Sequence, residues 1–226
     1  VKQSVIDEKV YRILHSMIKV GLLKNVTKFG DISKNVTSKA HNALCRLLAT
    51  ESTILVKNEN ETLPIYMRGE ITTAATNITV VGLYGHEEVI SGGKGSGEVK
   101  PYYTISPFQG LLNLAPNKTA VKYMSSTEKL SKILALANWS DYVIFVTGTT
   151  STEGADRGSL SLPERDNDLI GKLVAFQARN RQFRGTNSGF RIVVTVISPG
   201  PVLLPWASKV DSIVMQLMPG QEGGNV

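Results

Sequence analysis

The sequence predicts an α/β fold, a largely parallel sheet sandwiched by helices. Three observations predict it. Tyr142-Val143-Ile144-Phe145-Val146 is an uninterrupted apolar run of strand length and residues 192–197 a second, mostly apolar one, as expected of strands covered on both faces. Segments with apolar residues at helical spacing alternate with the strand-like runs, the pattern of parallel strands joined by helical crossovers. The composition is that of an ordinary globular chain: 226 residues, 42% hydrophobic, 19% charged, 20 Gly and 9 Pro. It excludes disorder, collagen and coiled coil, and the length suffices for a core.

The elements follow in order. Residues 4–20 read as an amphipathic helix through Ile6, Val10, Ile13, Leu14 and Met17, with Ser4 and Asp7 in a capping-box pattern. Residues 21–37 read as a loop, and 38–51 as a second helix capped by Ser38. A short strand at 53–57 closes in a polar turn, and 78–82 is a strand followed by a glycine-rich loop. Residues 106–114 form a short helix with Pro107 in its first turn. A brief strand at 120–123 precedes a helix whose buried stripe is Leu130, Ile133, Leu134 and Ala137. After the strand at 142–146, a loop over 148–162 leads to a helix opened by Pro163 and carrying Leu169, Leu173, Val174 and Phe176. Strands at 192–197 and 212–217 complete the series.

The ends suggest a fragment. The chain starts Val1-Lys2-Gln3 with an apolar helical stripe that needs a cover, and it stops in a turn, Pro219-Gly220-Gln221-Glu222-Gly223-Gly224-Asn225-Val226. No apolar run approaches the ~20 residues of a membrane span. Cys45 is the single cysteine, so there is no intrachain disulfide. His15, His41 and His86 lack metal-ligand spacing, and no Gly-x-Ser-x-Gly element is present. The net charge of +6 raises nucleic-acid binding, but Arg179, Arg181, Arg184 and Arg191 flank a Gly/Asn/Ser segment without an aromatic ladder, which reads as a solvated connecting loop.

In open α/β sheets, sites form in loops beyond the carboxyl ends of strands. The loops after Val81, Val146 and Ile197 qualify. The first contains Ser91-Gly92-Gly93-Lys94-Gly95-Ser96-Gly97. Lys94 is followed by Gly95, against the phosphate-loop pattern, and the dinucleotide spacing is unmet, so the alternatives are a flexible loop or an anion cradle. The second reads Thr149-Thr150-Ser151-Thr152-Glu153-Gly154-Ala155-Asp156-Arg157-Gly158, with two carboxylates and one Arg among small residues. A carboxylate presented at a strand end can act as a general acid if burial raises its pKa toward neutral; otherwise these charges tie down the loop.

Six sequons, at Asn25, Asn35, Asn60, Asn77, Asn117 and Asn138, compare with about two expected by chance from 13 Asn and 37 Ser plus Thr, an excess consistent with N-glycosylation on a secretory route. Asn77 opens an apparent core strand and is the exception.

Several motifs together resemble the C-terminal α/β sandwich domain of family 3 glycoside hydrolases, the β-glucosidase group. They are residues 6–14; residues 41–58 with Leu63-Pro64; Gly92 to Gly97 with Val99, Pro101, Tyr102, Ser106-Pro107 and Gly110; Glu153-Gly154-Ala155-Asp156-Arg157 with Ser159 to Pro163; Gly200-Pro201 to Pro205-Trp206; and Pro219 to Asn225. The resemblance implies residues 1–37 as the last helix of a preceding barrel domain plus linker, and 38–226 as the sandwich, incomplete at its C-terminus. It implies hydrolysis of terminal non-reducing β-D-glucosyl residues by a retaining two-carboxylate mechanism, with Glu153 as acid/base and no cofactor or metal. The nucleophile is an Asp of the barrel domain, matched by no position here, so the chain alone is expected to be inactive. Gly95, Ser96 and Gly97 would border the substrate cleft, and Asp156 and Arg157 would organise the loop. The partners implied are a β-glucoside or oligosaccharide and the barrel, not nucleic acid or a membrane. A non-catalytic carbohydrate-binding or scaffold module is the alternative. Lys94, where the family often has Gly, Leu47 after Arg46, where an acidic residue is usual, and a long 179–190 segment depart from the pattern.

Overall fold

The computed structural model describes residues 1–24, 30–66, 76–184 and 189–226. They fall into two compact units, Val1–Thr37 and Ser38–Val226. The first contains α1 (Gln3–Lys19), whose apolar residues Val5, Ile6, Val10, Ile13 and Leu14 are exposed. The expected Ser4/Asp7 box does not form: the helix starts one residue earlier, Lys2 makes no side-chain cap, and the Asp7 carboxylate accepts from the Gln3 amide (2.8 Å). Ser4 therefore lies inside the first turn, where its hydroxyl cannot cap the helix.

The second unit is the α/β domain. α2 (Lys39–Glu51) begins at Ser38, whose hydroxyl accepts from the His41 N–H (3.1 Å) as expected. The strands are β1 (Ile54–Asn58), β2 (Ile78–Val81), β3 (Val121–Met124), β4 (Tyr142–Gly148), β5 (Arg191–Ile197) and β6 (Ser212–Gln216). The crossover helices are α3 (Pro107–Leu114), α4 (Leu130–Trp139) and α5 (Glu164–Arg184). The six strands form one sheet in the order β1-β6-β5-β4-β2-β3. All neighbours are parallel except β1, which runs antiparallel to β6 at the edge and leaves Ile54, Leu55 and Val56 exposed.

Each face of the sheet has its own apolar layer. On one, α4 and α5 bring Ile133, Ala137, Leu169, Ile170 and Leu173 against Val81, Val143, Phe145, Ile192, Val194 and Val196. On the other, Phe108, Leu111 and Leu112 of α3 pack on Ile78, Val80, Val121, Ile144, Val146 and Val193. The alternation along β4, Val143 and Phe145 one way and Ile144 and Val146 the other, follows from the period of 2 in a strand. It explains why the run is apolar throughout. Truncating the fully buried Phe145 to Ala therefore costs ~3–5 kcal/mol.

Two of the basic residues are half-buried and engaged rather than freely solvated, which corrects the loop reading for them. Arg181 pairs with the buried Asp211 (2.8 Å), and Arg191 donates to the Thr62 hydroxyl (3.0 Å), so long-range contacts recruit both as ties between segments. The 185–188 segment lies outside the described residues.

Candidate active site

Strand order places the site. From β2 the chain crosses to β3 on one side, and from β4 it crosses to β5 on the other. The carboxyl ends of β2 and β4 thus flank the point where the connections diverge, which opens a crevice in such sheets. The glycine-rich loop leaves β2 there, and the loop with Glu153 leaves β4.

The two loops are clasped. The Ser96 backbone N–H donates to Glu153 Oε2 (2.8 Å), and the Glu153 N–H points to the Lys94 carbonyl (3.4 Å). Lys94 and Thr152 form an isolated parallel β-bridge. The approach requires glycine at 95: its φ is +116°, and a Cβ there would stand 2.7 Å from Glu153 Cβ. Gly97, by contrast, lies in open space. Of the expected site residues, Gly95 and Ser96 therefore meet Glu153 directly.

Glu153 is exposed, and its electrostatics differ from the raised pKa that the acid reading asked for. The Ser96 hydroxyl and N–H hold its carboxyl below the ordinary value, because donors to a carboxylate favour the charged form. The same contact bears on the anion-cradle reading. The Ser96 N–H that a phosphate would need is engaged by a carboxylate, whose charge repels one.

The third loop joins through Arg157, whose guanidinium donates to the Pro201 carbonyl (2.8 Å). Leu203 N–H donates to the Leu160 carbonyl (2.9 Å), and the buried Trp206 donates its indole N–H to Asn167 Oδ1 (2.8 Å). Asp156 is exposed and forms no ion pair among the described residues. Arg157 thus links the loops after β4 and β5, while Asp156 faces solvent.

Two further motif segments pack on each other. Ile105 N–H donates to the Gln221 carbonyl (2.9 Å), Gly224 N–H to the Ile105 carbonyl (3.0 Å), and the Tyr103 hydroxyl to the buried Glu222. A Cβ on Gly110 would fall 1.5 Å from the Gly224 carbonyl oxygen, so α3 and the 220–225 turn meet backbone to backbone. Among the described residues no group of three or more His, Cys, Asp or Glu is placed to hold a metal ion.

Sequence reasoning missed Asp166 in the first turn of α5. It is buried, accepts from the Thr147 hydroxyl (2.7 Å), and burial pushes its carboxyl up. The only signal was an acidic residue at a helix start, common for dipole reasons.

Three comparisons bear on this arrangement. The description "Glycosyl hydrolase family 3 C-terminal domain" matches residues 53–226. Among curated proteins, a probable β-D-xylosidase 7 of Arabidopsis thaliana is 29% identical over 240 residues, covering 99% of this chain and 29% of that protein. A thermostable β-glucosidase B of Acetivibrio thermocellus is 25% identical over 234 residues, covering 98% and 28%. The chain thus spans under a third of the length of these relatives. Among solved structures, a β-glucosidase from Kluyveromyces marxianus superposes with a TM-score of 0.76 at 17% identity, covering 100% of this chain and 43% of that one. At that identity the likeness shows the fold.

Proposed function

The chain belongs to glycosyl hydrolase family 3, as its C-terminal domain, and from that premise we propose that the whole protein hydrolyses terminal β-D-glycosyl residues with retention, Glu153 serving as acid/base. β-D-Glucosyl substrates are the expectation; the relatives include proteins named for glucosides and for xylosides. The observation that carries the reading is the Glu153 carboxylate held by Ser96 beyond the carboxyl ends of β2 and β4.

In the first step the glycosidic oxygen takes the Glu153 proton while an Asp nucleophile, supplied by a barrel domain of the same protein, attacks the anomeric carbon. In the second, the Glu153 carboxylate accepts a proton from the water that hydrolyses the covalent intermediate. Ser96 favours the ionised form, so it stabilises the carboxylate left behind as the leaving group departs. Protonation for the first step then requires substrate and the barrel to cover Glu153, since desolvation raises a carboxyl pKa. The retaining geometry sets the two carboxyls ~5–5.5 Å apart.

The test is Glu153→Ala in the full-length enzyme. Turnover of substrates with poor leaving groups falls ~10²–10⁴-fold. Azide restores it and yields a glycosyl azide of retained configuration, because azide attacks an intermediate that is already inverted once. Unchanged turnover overturns the assignment and leaves a non-catalytic carbohydrate-binding module. The sequon excess supports a secretory route and a glycoprotein. No helix among the described residues is long and apolar enough to cross a membrane.

A further inference from the structure

We propose that Asn117 carries an N-linked oligosaccharide and that Asn77 does not; the inference rests on the secretory reading above. Asn25 lies outside the described residues. The rest differ in what each side chain does in the fold. Asn77 is half-buried: its Nδ2 donates to the Trp139 carbonyl (3.3 Å), its backbone N–H donates to Asp141 Oδ2 (2.8 Å), and Thr79, two residues on, is fully buried in β2. A sugar on that nitrogen disrupts the start of a core strand. Asn60 and Asn138 are exposed, but the hydroxyls two residues on are buried and engaged, Thr62 with the Glu59 carbonyl (2.7 Å) and Ser140 with the Leu136 carbonyl (2.9 Å). Asn35 is exposed at a turn, with the Thr37 N–H donating to its Oδ1 (2.9 Å).

Asn117 combines the features an acceptor needs. It lies in the turn between α3 and β3, ahead of the 3-10 turn Lys118–Ala120. Asn117 and Thr119 are both exposed. Its Oδ1 accepts from the Thr119 N–H (3.0 Å) and hydroxyl (2.7 Å), a local ring that directs the carbonyl inward along the chain. Nδ2 has no hydrogen-bond partner among the described residues, so an attached sugar displaces no contact. The reaction is a transfer from a polyprenyl-pyrophosphate-linked oligosaccharide. A bond forms between Nδ2 and the anomeric carbon, the bond from that carbon to the pyrophosphate oxygen breaks, the lipid pyrophosphate leaves, and the amide gives one proton to the transferring enzyme.

The experiment expresses the full-length protein behind a cleavable heterologous signal in a eukaryotic secretory host, then removes glycans with peptide-N-glycosidase in ¹⁸O-water and maps the labelled asparagines. Asn117 is expected to be labelled and Asn77 unlabelled, and Asn117→Gln is expected to lose one glycan's mass. Signal cleavage with an unlabelled Asn117, or a labelled Asn77 in folded protein, overturns the inference. The enforced signal separates this from the secretory reading, which fails if the native coding sequence leaves the protein in the cytosol.

Discussion

Asp211 and Glu153 are both carboxylates kept below their ordinary pKa by hydrogen bonds, at opposite ends of the sheet. Asp211 precedes β6 and is buried. Burial pushes its carboxyl up, but the Ile192 N–H (2.7 Å), the Arg181 guanidinium (2.8 Å) and the Gln177 amide (2.7 Å) together outweigh it. Glu153 follows β4 at the carboxyl end, is exposed, and takes its donors from one residue, Ser96. The triply held carboxylate fixes α5 and β6 to β5. The singly held one keeps lone pairs free for another reactant. A buried charge held by three donors is structural, and an exposed charge clasped by one residue is available for chemistry.

The contrast can be broken most sharply by removing each carboxylate in the full-length protein. Glu153→Ala should cut turnover ~10²–10⁴-fold and leave the urea midpoint unchanged. Asp211→Ala should do the reverse, costing about 3–5 kcal/mol in urea unfolding, because it strands a buried N–H, an amide and a guanidinium. A Glu153 variant that unfolds, or an Asp211 variant of normal stability, removes the distinction.

Gly95→Ala sharpens it next. The new Cβ meets Glu153 Cβ, the clasp opens, and turnover should fall ~10–100-fold through misplacement. Losing the Ser96 donors raises the Glu153 pKa. Since the free enzyme needs the protonated acid, the basic limb of the kcat/KM profile should move to higher pH. A profile that stays in place argues that Ser96 does not set that carboxyl.

Asp166 offers the opposite sign. Its folded pKa is raised chiefly by burial, so the folded state binds more protons and stability falls as pH rises from the ordinary carboxyl value through the folded one. Asp211, with a lowered pKa, contributes stability above the ordinary value that is lost as pH falls through its folded value. Asp166→Asn, whose amide oxygen still accepts from Thr147, should stabilise at pH 7 and match the parent in acid, as read by melting across pH. The smallest effect is expected at Ser38→Ala, about 1 kcal/mol or less from the lost α2 cap.

Much of the scaffold was legible in advance. β4 and β5 announce themselves as apolar runs because both faces are covered, the Ser38 cap forms as expected, and α3 carries Pro107 in its first turn as expected, while its Ser106–Gln109 capping box was not foreseen. The Ser4 box failed for an equally local reason, the helix beginning ahead of Ser4. At the site, Glu153, Gly95, Ser96 and Arg157 were named from motifs, but their relation was not. The clasp joins residues 57 positions apart and exists because β2 and β4 are neighbours.

The sequence by itself determined the α/β class, the Ser38 cap of α2 and the family-like order of motifs, because periodicity, capping and motif spacing are properties of short stretches of chain. The tertiary structure alone decided that β1 runs antiparallel, that Asp166 is a buried acid, that Arg181 and Arg191 tie segments together, and that the glycine loop closes on Glu153. Those depend on strand order and on which surfaces exclude water, and neither is written in any one segment.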